Sequence, residues 1–322
     1  MITGASAGIG RAAAVEFARH GWRVALVARG HEGLQSARDE VEAAGGSAML
    51  ITADVADHAQ VEAAAQRVER EWGGIDVWIN NAMATIFCPV ESIDPEDFKR
   101  ATEVTYLGAV WGTMAALKHM KARNHGVIVQ VGSALAYRSI PLQAAYCGAK
   151  SGLRGFTDSL RSELIHDKSN VHVTMVHLSA FNTPQFDWGR SCMRGKPKPL
   201  GKIFQPELAA RGIYWAATHR RRELWVGFPA VEAIVGTRII PGFLDRKLAR
   251  DAWDGQQSKE NAAPDRPDNL YAPVPGDPGM HGRFDEQASA SDGELWLATH
   301  RTLVVAVLIL LALLARAAVG SS

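Results

Sequence analysis

Three side chains with complementary proton chemistry lie close together in the sequence: Ser133, Tyr146 and Lys150. Ser133 closes a β-rich run over 126–132, and the stretch 145–166 that follows reads as a helix. Tyr146 and Lys150 stand four residues apart and so share one helix face. A free phenol titrates near about 10, which makes it a sluggish acid or base at neutrality. An ammonium beside it, or an oxidised nicotinamide ring, favours the phenolate; each unit of depression is about 1.4 kcal/mol of differential stabilisation. In that setting Tyr146 could give a proton to a carbonyl oxygen as hydride reaches the carbon, or remove it in reverse. Ser133 could donate to the same oxygen and steady its developing charge. Lys150 could also hold a nicotinamide ribose. A tyrosine and a lysine at this spacing recur on many helices, so the assignment depends on what surrounds them.

A phosphate cradle comes first in the chain. Thr3-Gly4-Ala5-Ser6-Ala7-Gly8-Ile9-Gly10 precedes a helix, with the spacing G-x-x-x-G-x-G. Gly4, Gly8 and Gly10 let the backbone turn tightly and approach a pyrophosphate, with Ser6 and Ile9 between them. The helix N-terminus adds free N–H groups and a partial positive charge. Arg29 follows the second β-rich run (24–28). A carboxylate there would hold a ribose 2′-hydroxyl, whereas an arginine pairs with a 2′-phosphate, which predicts NADP(H) over NAD(H). Asp54 and Val55, after the third run (47–52), are placed to hold an adenine edge. Asn80, Asn81 and Ala82 end the fourth run (76–80), at the carboxyl ends where open α/β sheets bind ligands.

These residues hang on an alternating pattern. β-rich runs over 24–28, 47–52, 76–80, 126–132 and 171–178 are separated by helical stretches over 10–20, 58–72, 94–121 and 145–166. A helix over 206–219 leads to a late strand over 222–227. Such alternation predicts an α/β fold, a doubly wound parallel sheet of Rossmann type, over 1–255. Only Met1 and Ile2 lead into the glycine turn, so the first strand reads as truncated by about five residues, with a true start expected upstream.

Composition sets outer limits. With 322 residues, 47% hydrophobic and 21% charged, the chain is neither disordered nor fibrous. A net charge of +1 removes the electrostatic reason to expect nucleic acid. Cys88, Cys147 and Cys192 are too few and too scattered for a disulfide framework, and no C-x-x-C or H-E-x-x-H pattern points to a metal. The N-terminus shows no signal peptide, and a reducing compartment is expected. Past 255 the composition shifts. The Pro/Gly/Asp-rich stretch 256–293 reads as a linker or loosely ordered wrap. Within 294–322 an apolar run of 13 residues, 303–315, is too short to span a bilayer, but 302–319 reaches 18 with Arg316 able to snorkel. That tail is a candidate membrane anchor, with the catalytic domain on the cytoplasmic side.

Together, Thr3–Gly10, Asp54-Val55, Asn80-Asn81-Ala82, Ser133, Tyr146-Cys147-Gly148-Ala149-Lys150 and Thr183 resemble the short-chain dehydrogenase/reductase family over about 1–227. The resemblance implies a Rossmann fold, a nicotinamide cofactor, alcohol–carbonyl oxidoreduction, and dimers or tetramers. It further implies that Thr183 touches the nicotinamide carboxamide. Four departures stand out. The first strand is short; the family's water-ordering asparagine aligns with Thr105; the glycine after Asn-Asn-Ala is Met83; and Ser179-Ala180 replaces a Pro-Gly. Thr105 could hold the relay water through its hydroxyl. The loop 181–200, with Trp188 and Met193, falls where the family places a mobile substrate loop, and its apolar content suggests a hydrophobic carbonyl or alcohol substrate. The expected activity is hydride transfer with NADP(H). Alternatives are a catalytically weak NADP(H)-binding sensor or scaffold at a membrane, and an epimerase or dehydratase on the same fold.

Overall fold

The computed structural model describes all residues except 264–265, 307–308, 310–315 and 317–322. In chain order its first half runs β1 (Ile2–Thr3), α1 (Gly8–Arg19), β2 (Arg23–Ala28), α2 (His31–Ala43), β3 (Ser47–Thr52), α3 (His58–Trp72) and β4 (Val77–Asn80). It continues through α4 (Pro95–Thr102), α5 (Gly108–Arg123), β5 (Val127–Ser133), α6 (Ala144–His166), β6 (His172–Leu178), α7 (Pro206–Thr218) and β7 (Glu223–Val226). Then come α8 (Phe228–Ile239), α9 (Pro241–Gly255) and α10 (Gly293–Thr299).

The seven strands form one parallel sheet in the order β7-β6-β5-β4-β1-β2-β3. This is the doubly wound α/β architecture expected from the alternation. Helices cover both faces, so β2 is buried at five of its six positions and reads as an unbroken apolar run. Alanine supplies the closeness of the helix layer. Ala12, Ala13 and Ala14 on α1, and Ala209, Ala210 and Ala216 on α7, are buried in the same core. The order reverses between β1 and β4, and the crevice that opens at their carboxyl ends is where this fold binds ligands.

β1 is short, as the sequence implies, with Ile2 opposite both Leu26 and Ile79. The ammonium of Met1 donates to Val77 O at 2.8 Å, and burial pushes its pKa down to about 5. The helix expected over 94–121 is interrupted instead by a π-helical segment, Glu103–Leu107, between α4 and α5. Two contacts hold it there. Thr105 bonds the backbone of Ala84, and Gly108 approaches Val55 so closely that a Cβ would stand 2.7 Å from it. Cys88 and Cys192 are joined by a disulfide, although their number and spacing in the sequence predict no disulfide framework.

The stretch after α9 lies against the sheet domain. Gln257–Asn261 pairs antiparallel with Gly195–Pro197, and α10 inserts Leu295 and Ala298 into the core shared by α1 and α7. The proposed anchor over 302–319 falls largely outside the described residues. Among those described, no helix is long and apolar enough to cross a membrane.

Candidate active site

β1 ends in the glycine turn, and the turn is built from close contacts. Gly4 and Gly8 have φ of 66° and 51°, which a side chain would strain. A Cβ on Gly10 would stand 2.2 Å from Gly4 O. Thr3 and Asn81 lock the turn to the end of β4. Asn81 Nδ2 donates to Thr3 O and Gly4 O at 2.9 and 3.2 Å, and Thr3 Oγ1 accepts from the amides of Asn81 and Ala82. The first turn of α1 thus opens onto the crevice.

Ser133 ends β5, and its Oγ accepts from Leu135 N at 3.1 Å. Tyr146 and Lys150 come from the first turns of α6 and face the same crevice. Tyr146 as a whole keeps some exposure, but its phenol is desolvated. Burial pushes it up to about 12, with the hydrogen bond to Ser133 pulling the other way. The sequence led us to expect the opposite shift, through Lys150. The structure turns Lys150 elsewhere. Its Nζ donates to Val131 O at 2.6 Å and lies 5.7 Å from the centre of the Tyr146 ring. Burial pulls Lys150 down to about 8. The trio therefore converges, but in this state the lysine charge is spent on β5 rather than on the phenol.

Other expected residues divide. Gly4, Ser6, Gly8, Ile9, Val55, Ala82 and Thr183 border the crevice, as does Met83, which replaces the glycine of the family pattern. Thr183 lies across from Gly8, whose Cβ would come within 3.2 Å of it. Thr105 does not join them. Its hydroxyl donates to Ala84 O at 2.8 Å and accepts from Ala84 N at 2.9 Å, so its one proton is committed to that loop and not to a relay water. Asp54 borders the crevice but is paired with Arg100. Arg29 also reaches the crevice, with its guanidinium given to main-chain oxygens of Leu270 and Asn269.

The crevice encloses about 220 Å³. Its inner wall is apolar, with Val104, Leu178, Phe181 and Trp188. Trp188 belongs to the loop that follows β6, and the Cys88–Cys192 bridge ties this loop to the connection after β4.

The model of the family described as short chain dehydrogenase matches residues 1–189, more than half of the chain. The chain belongs to the short-chain dehydrogenase family. An uncharacterized oxidoreductase, YxnA, of Bacillus subtilis is 32% identical over 273 residues, covering 84% of this chain and 77% of that protein. A zebrafish (Danio rerio) 3-dehydrosphinganine reductase is 32% identical over 66% of this chain and 65% of its own length. Among solved structures, an alcohol dehydrogenase from the archaeon Thermococcus sibiricus, complexed with 5-hydroxy-NADP, superposes with a TM-score of 0.61. It is 27% identical, and the match covers 70% of this chain and 94% of that one. A metagenomic short-chain oxidoreductase in complex with NADP superposes with a TM-score of 0.59 at the same identity and coverage. This short-chain dehydrogenase is thus an oxidoreductase by family.

A second tier of residues supports the site without a clear mark in the sequence. His177, fully buried on β6, lies behind Ser133 with Nδ1 3.1 Å from its carbonyl oxygen. Burial lowers its pKa, so the ring is neutral and Nδ1 is the donor. Gly132 makes room for this ring: a Cβ there would stand 2.8 Å from Nδ1. Asn182, fully buried, is the hub between the sheet domain and the C-terminal stretch. It donates to Gln205 and Asp285 and accepts from Phe284 N. For His177 the available signal was a polar residue in an apolar run; Asn182 carried none, and the partners of both lie far away in sequence.

Proposed function

We propose that this chain transfers hydride between NADP(H) and a carbonyl or alcohol substrate, with Tyr146 as general acid and base. The observation that carries the reading is the meeting of Ser133, Tyr146 and Lys150 beside the glycine turn, at the carboxyl ends of β5 and β1. The cradle fits a dinucleotide: Gly10 leaves no room for a side chain over Gly4, and the α1 N-terminus faces the same crevice. The two solved relatives hold NADP or a derivative of it, which supports the same coenzyme here. When bound, NADP(H) supplies or accepts the hydride. Gly4, Ser6, Gly8, Ile9 and Gly10 would hold its phosphates, Val55 and Asp54 the adenine edge, Asn81 and Ala82 the central ribose region, and Thr183 the carboxamide.

The remaining steps belong to the protein. Ser133, whose hydroxyl donates to the phenol oxygen in the free protein, turns that proton to the substrate oxygen, and Tyr146 presents its own proton to the same oxygen. Tyr146, raised by burial, is an acid that keeps its proton until an acceptor of growing charge reaches it. Lys150 must leave Val131 O, or polarise the phenol from there, for the reverse direction to proceed near neutrality. The apolar wall, including Val104, Leu178, Phe181 and Trp188, fits a hydrophobic substrate. Replacing Tyr146 by Phe is expected to lower kcat by at least about 100-fold, within the range of general acid–base catalysis. NADPH affinity, read by fluorescence titration, should stay within about twofold. Retained turnover would defeat the assignment.

A coenzyme-binding sensor with little turnover is the second reading. Two observations favour it: the hydroxyl of Thr105 is tied to Ala84, and Lys150 is turned to Val131. NADPH binding without oxidation, across a panel of ketones and aldehydes, would select it.

A further inference from the structure

The stretch Asn269–Gly279 runs across the crevice at the end where the adenosine of a dinucleotide would lie. Asn269, Pro273, Val274, Gly276 and Pro278 all border it. Its polar contacts fall on Gly8, which the proposed function places against the phosphates, on Arg29, which the sequence places against a 2′-phosphate, and on the neighbouring Arg100. Gly8 N, at the start of α1, donates to Gly279 O at 3.1 Å. Arg29 donates to Leu270 O at 3.2 Å and to Asn269 O, and Arg100 Nε donates to Leu270 O at 3.1 Å. Two prolines press on the rim. Pro273 Cβ lies 3.3 Å from where a Cβ on Gly30 would be, and Pro278 Cδ lies 2.9 Å from the equivalent point on Gly33.

One ion pair anchors the turn in the middle of this strap. Asp277 pairs with Arg11 of α1 and also accepts from Gly279 N at 3.1 Å. Arg11 is 3% exposed and is held from its other side by Glu40, at 3.0 and 2.8 Å. The arginine is therefore part of the folded domain with or without the strap, while Asp277 is 41% exposed.

We propose that Asn269–Gly279 is an intramolecular ligand of the coenzyme site, so that NADP(H) engages its adenosine-side donors only when the strap lifts. The inference rests on the NADP(H) reading given above. A strap that merely clamped bound coenzyme would leave the Gly8 amide and the Arg29 guanidinium to the phosphates. Here the strap carbonyls use both. Strap closure and coenzyme binding then compete, and the apparent affinity is the intrinsic affinity multiplied by the fraction of molecules with the strap open. The strap lies outside residues 1–189, the part of the chain that the family model matches.

The test uses the full chain and NADPH itself. Asp277→Ala removes the anchor and leaves Arg11 paired with Glu40. It is expected to bind NADPH about two- to fivefold more tightly than the wild type, the effect of losing one partly exposed ion pair from the closed state. Asp277→Asn, which keeps an acceptor for Gly279 N, should shift affinity the same way by a smaller factor. In the wild type, NADPH should raise hydrogen exchange at amides 269–279. Unchanged or weaker binding in both variants, or protection of the strap by NADPH, would overturn the proposal while leaving the coenzyme reading standing. If none of the three proteins binds NADPH, both readings fall together.

Discussion

Lys150 is a charged group held in a place that disfavours its charge. It is 2% exposed, its one hydrogen-bond partner is the carbonyl of Val131, and burial brings it down to about 8 from an ordinary value of 10.5. At pH 7 the folded chain must carry this ammonium buried. Between about pH 8 and 10.5 the unfolded chain holds a proton that the folded chain has released, so stability rises with pH in that window. The stability of Lys150→Met minus that of the wild type should therefore shrink by up to about 3 kcal/mol over the window. Urea unfolding of both proteins across pH 7–10.5 checks this; parallel curves would show that the lysine is not desolvated. The same shift bears on the chemistry, because the charge that could lower the phenol of Tyr146 is half lost near pH 8 in the free protein. The residue types were legible in the sequence, since Ser133, Tyr146 and Lys150 stand at spacings that a strand and a helix convert directly into neighbours. The direction in which Lys150 points was not legible: it depends on a carbonyl of β5, and every strand carries carbonyls.

At the scale of elements, the sequence is most readable where one local rule decides. Helix α3 begins and ends as expected because Asp57 caps it, accepting from Ala59 N and Gln60 N, and Gly73 closes it at φ 81°. The strands were visible because parallel strands buried on both faces are short apolar runs. The break between α4 and α5 was not visible. It arises from Ala84 and Val55, which come from other parts of the chain and meet Thr105 and Gly108 only after folding. α10 was read as part of an apolar tail, yet it docks through Leu295 and Ala298 and brings an acid with it. Glu294 accepts from Gly227 N at 3.2 Å, and burial, with help from Asp292, raises its pKa to about 7. The sign here is opposite to that of a salt-bridged carboxylate. The folded chain binds the extra proton between about pH 4.5 and 7, so this residue's contribution to stability is lost as pH rises through that range. Glu294→Gln keeps an acceptor for Gly227 N and cannot ionise. It should be more stable than the wild type at pH 8, by at most about 3 kcal/mol less what solvent screens, and nearly equal to it at pH 4.5. Thermal melts at the two pH values decide; an equal offset at both would place the carboxyl in water.

At the scale of the whole molecule, the described residues that follow α9 are packed into the domain and are not an appendage. Arg190 of the loop after β6 pairs with Asp97 at 3.0 Å and with Asp268 at 2.9 Å, and Arg266 donates to Asp187 O at 2.8 Å. Loop and C-terminal stretch therefore hold each other over the crevice. Composition alone could not show this, because prolines and glycines without an apolar period look the same in a free linker and in a strap fixed by main-chain carbonyls. The disulfide was hidden for a related reason: pairing of two cysteines separated by 104 residues is a property of the fold and not of spacing. Its position gives it a defined effect. Cys88 lies next to Phe87, which packs with Phe186 and Phe284, so the bridge fixes the loop onto this aromatic cluster. Closing a loop of this length restricts the unfolded chain by about 4–5 kcal/mol in the entropic account, an upper bound. The double variant Cys88→Ala, Cys192→Ala should therefore lose up to that much stability, and reductant should lower the wild-type Tm to match while leaving the variant unmoved. If the loop after β6 lines the substrate side, as the proposed function has it, KM for an apolar ketone should rise in both cases while NADPH affinity changes by less than about twofold, because the bridge holds that loop and not the glycine turn. A wild-type Tm insensitive to reductant, together with two titratable thiols at Cys88 and Cys192 in the untreated protein, would show that the bridge does not form in solution.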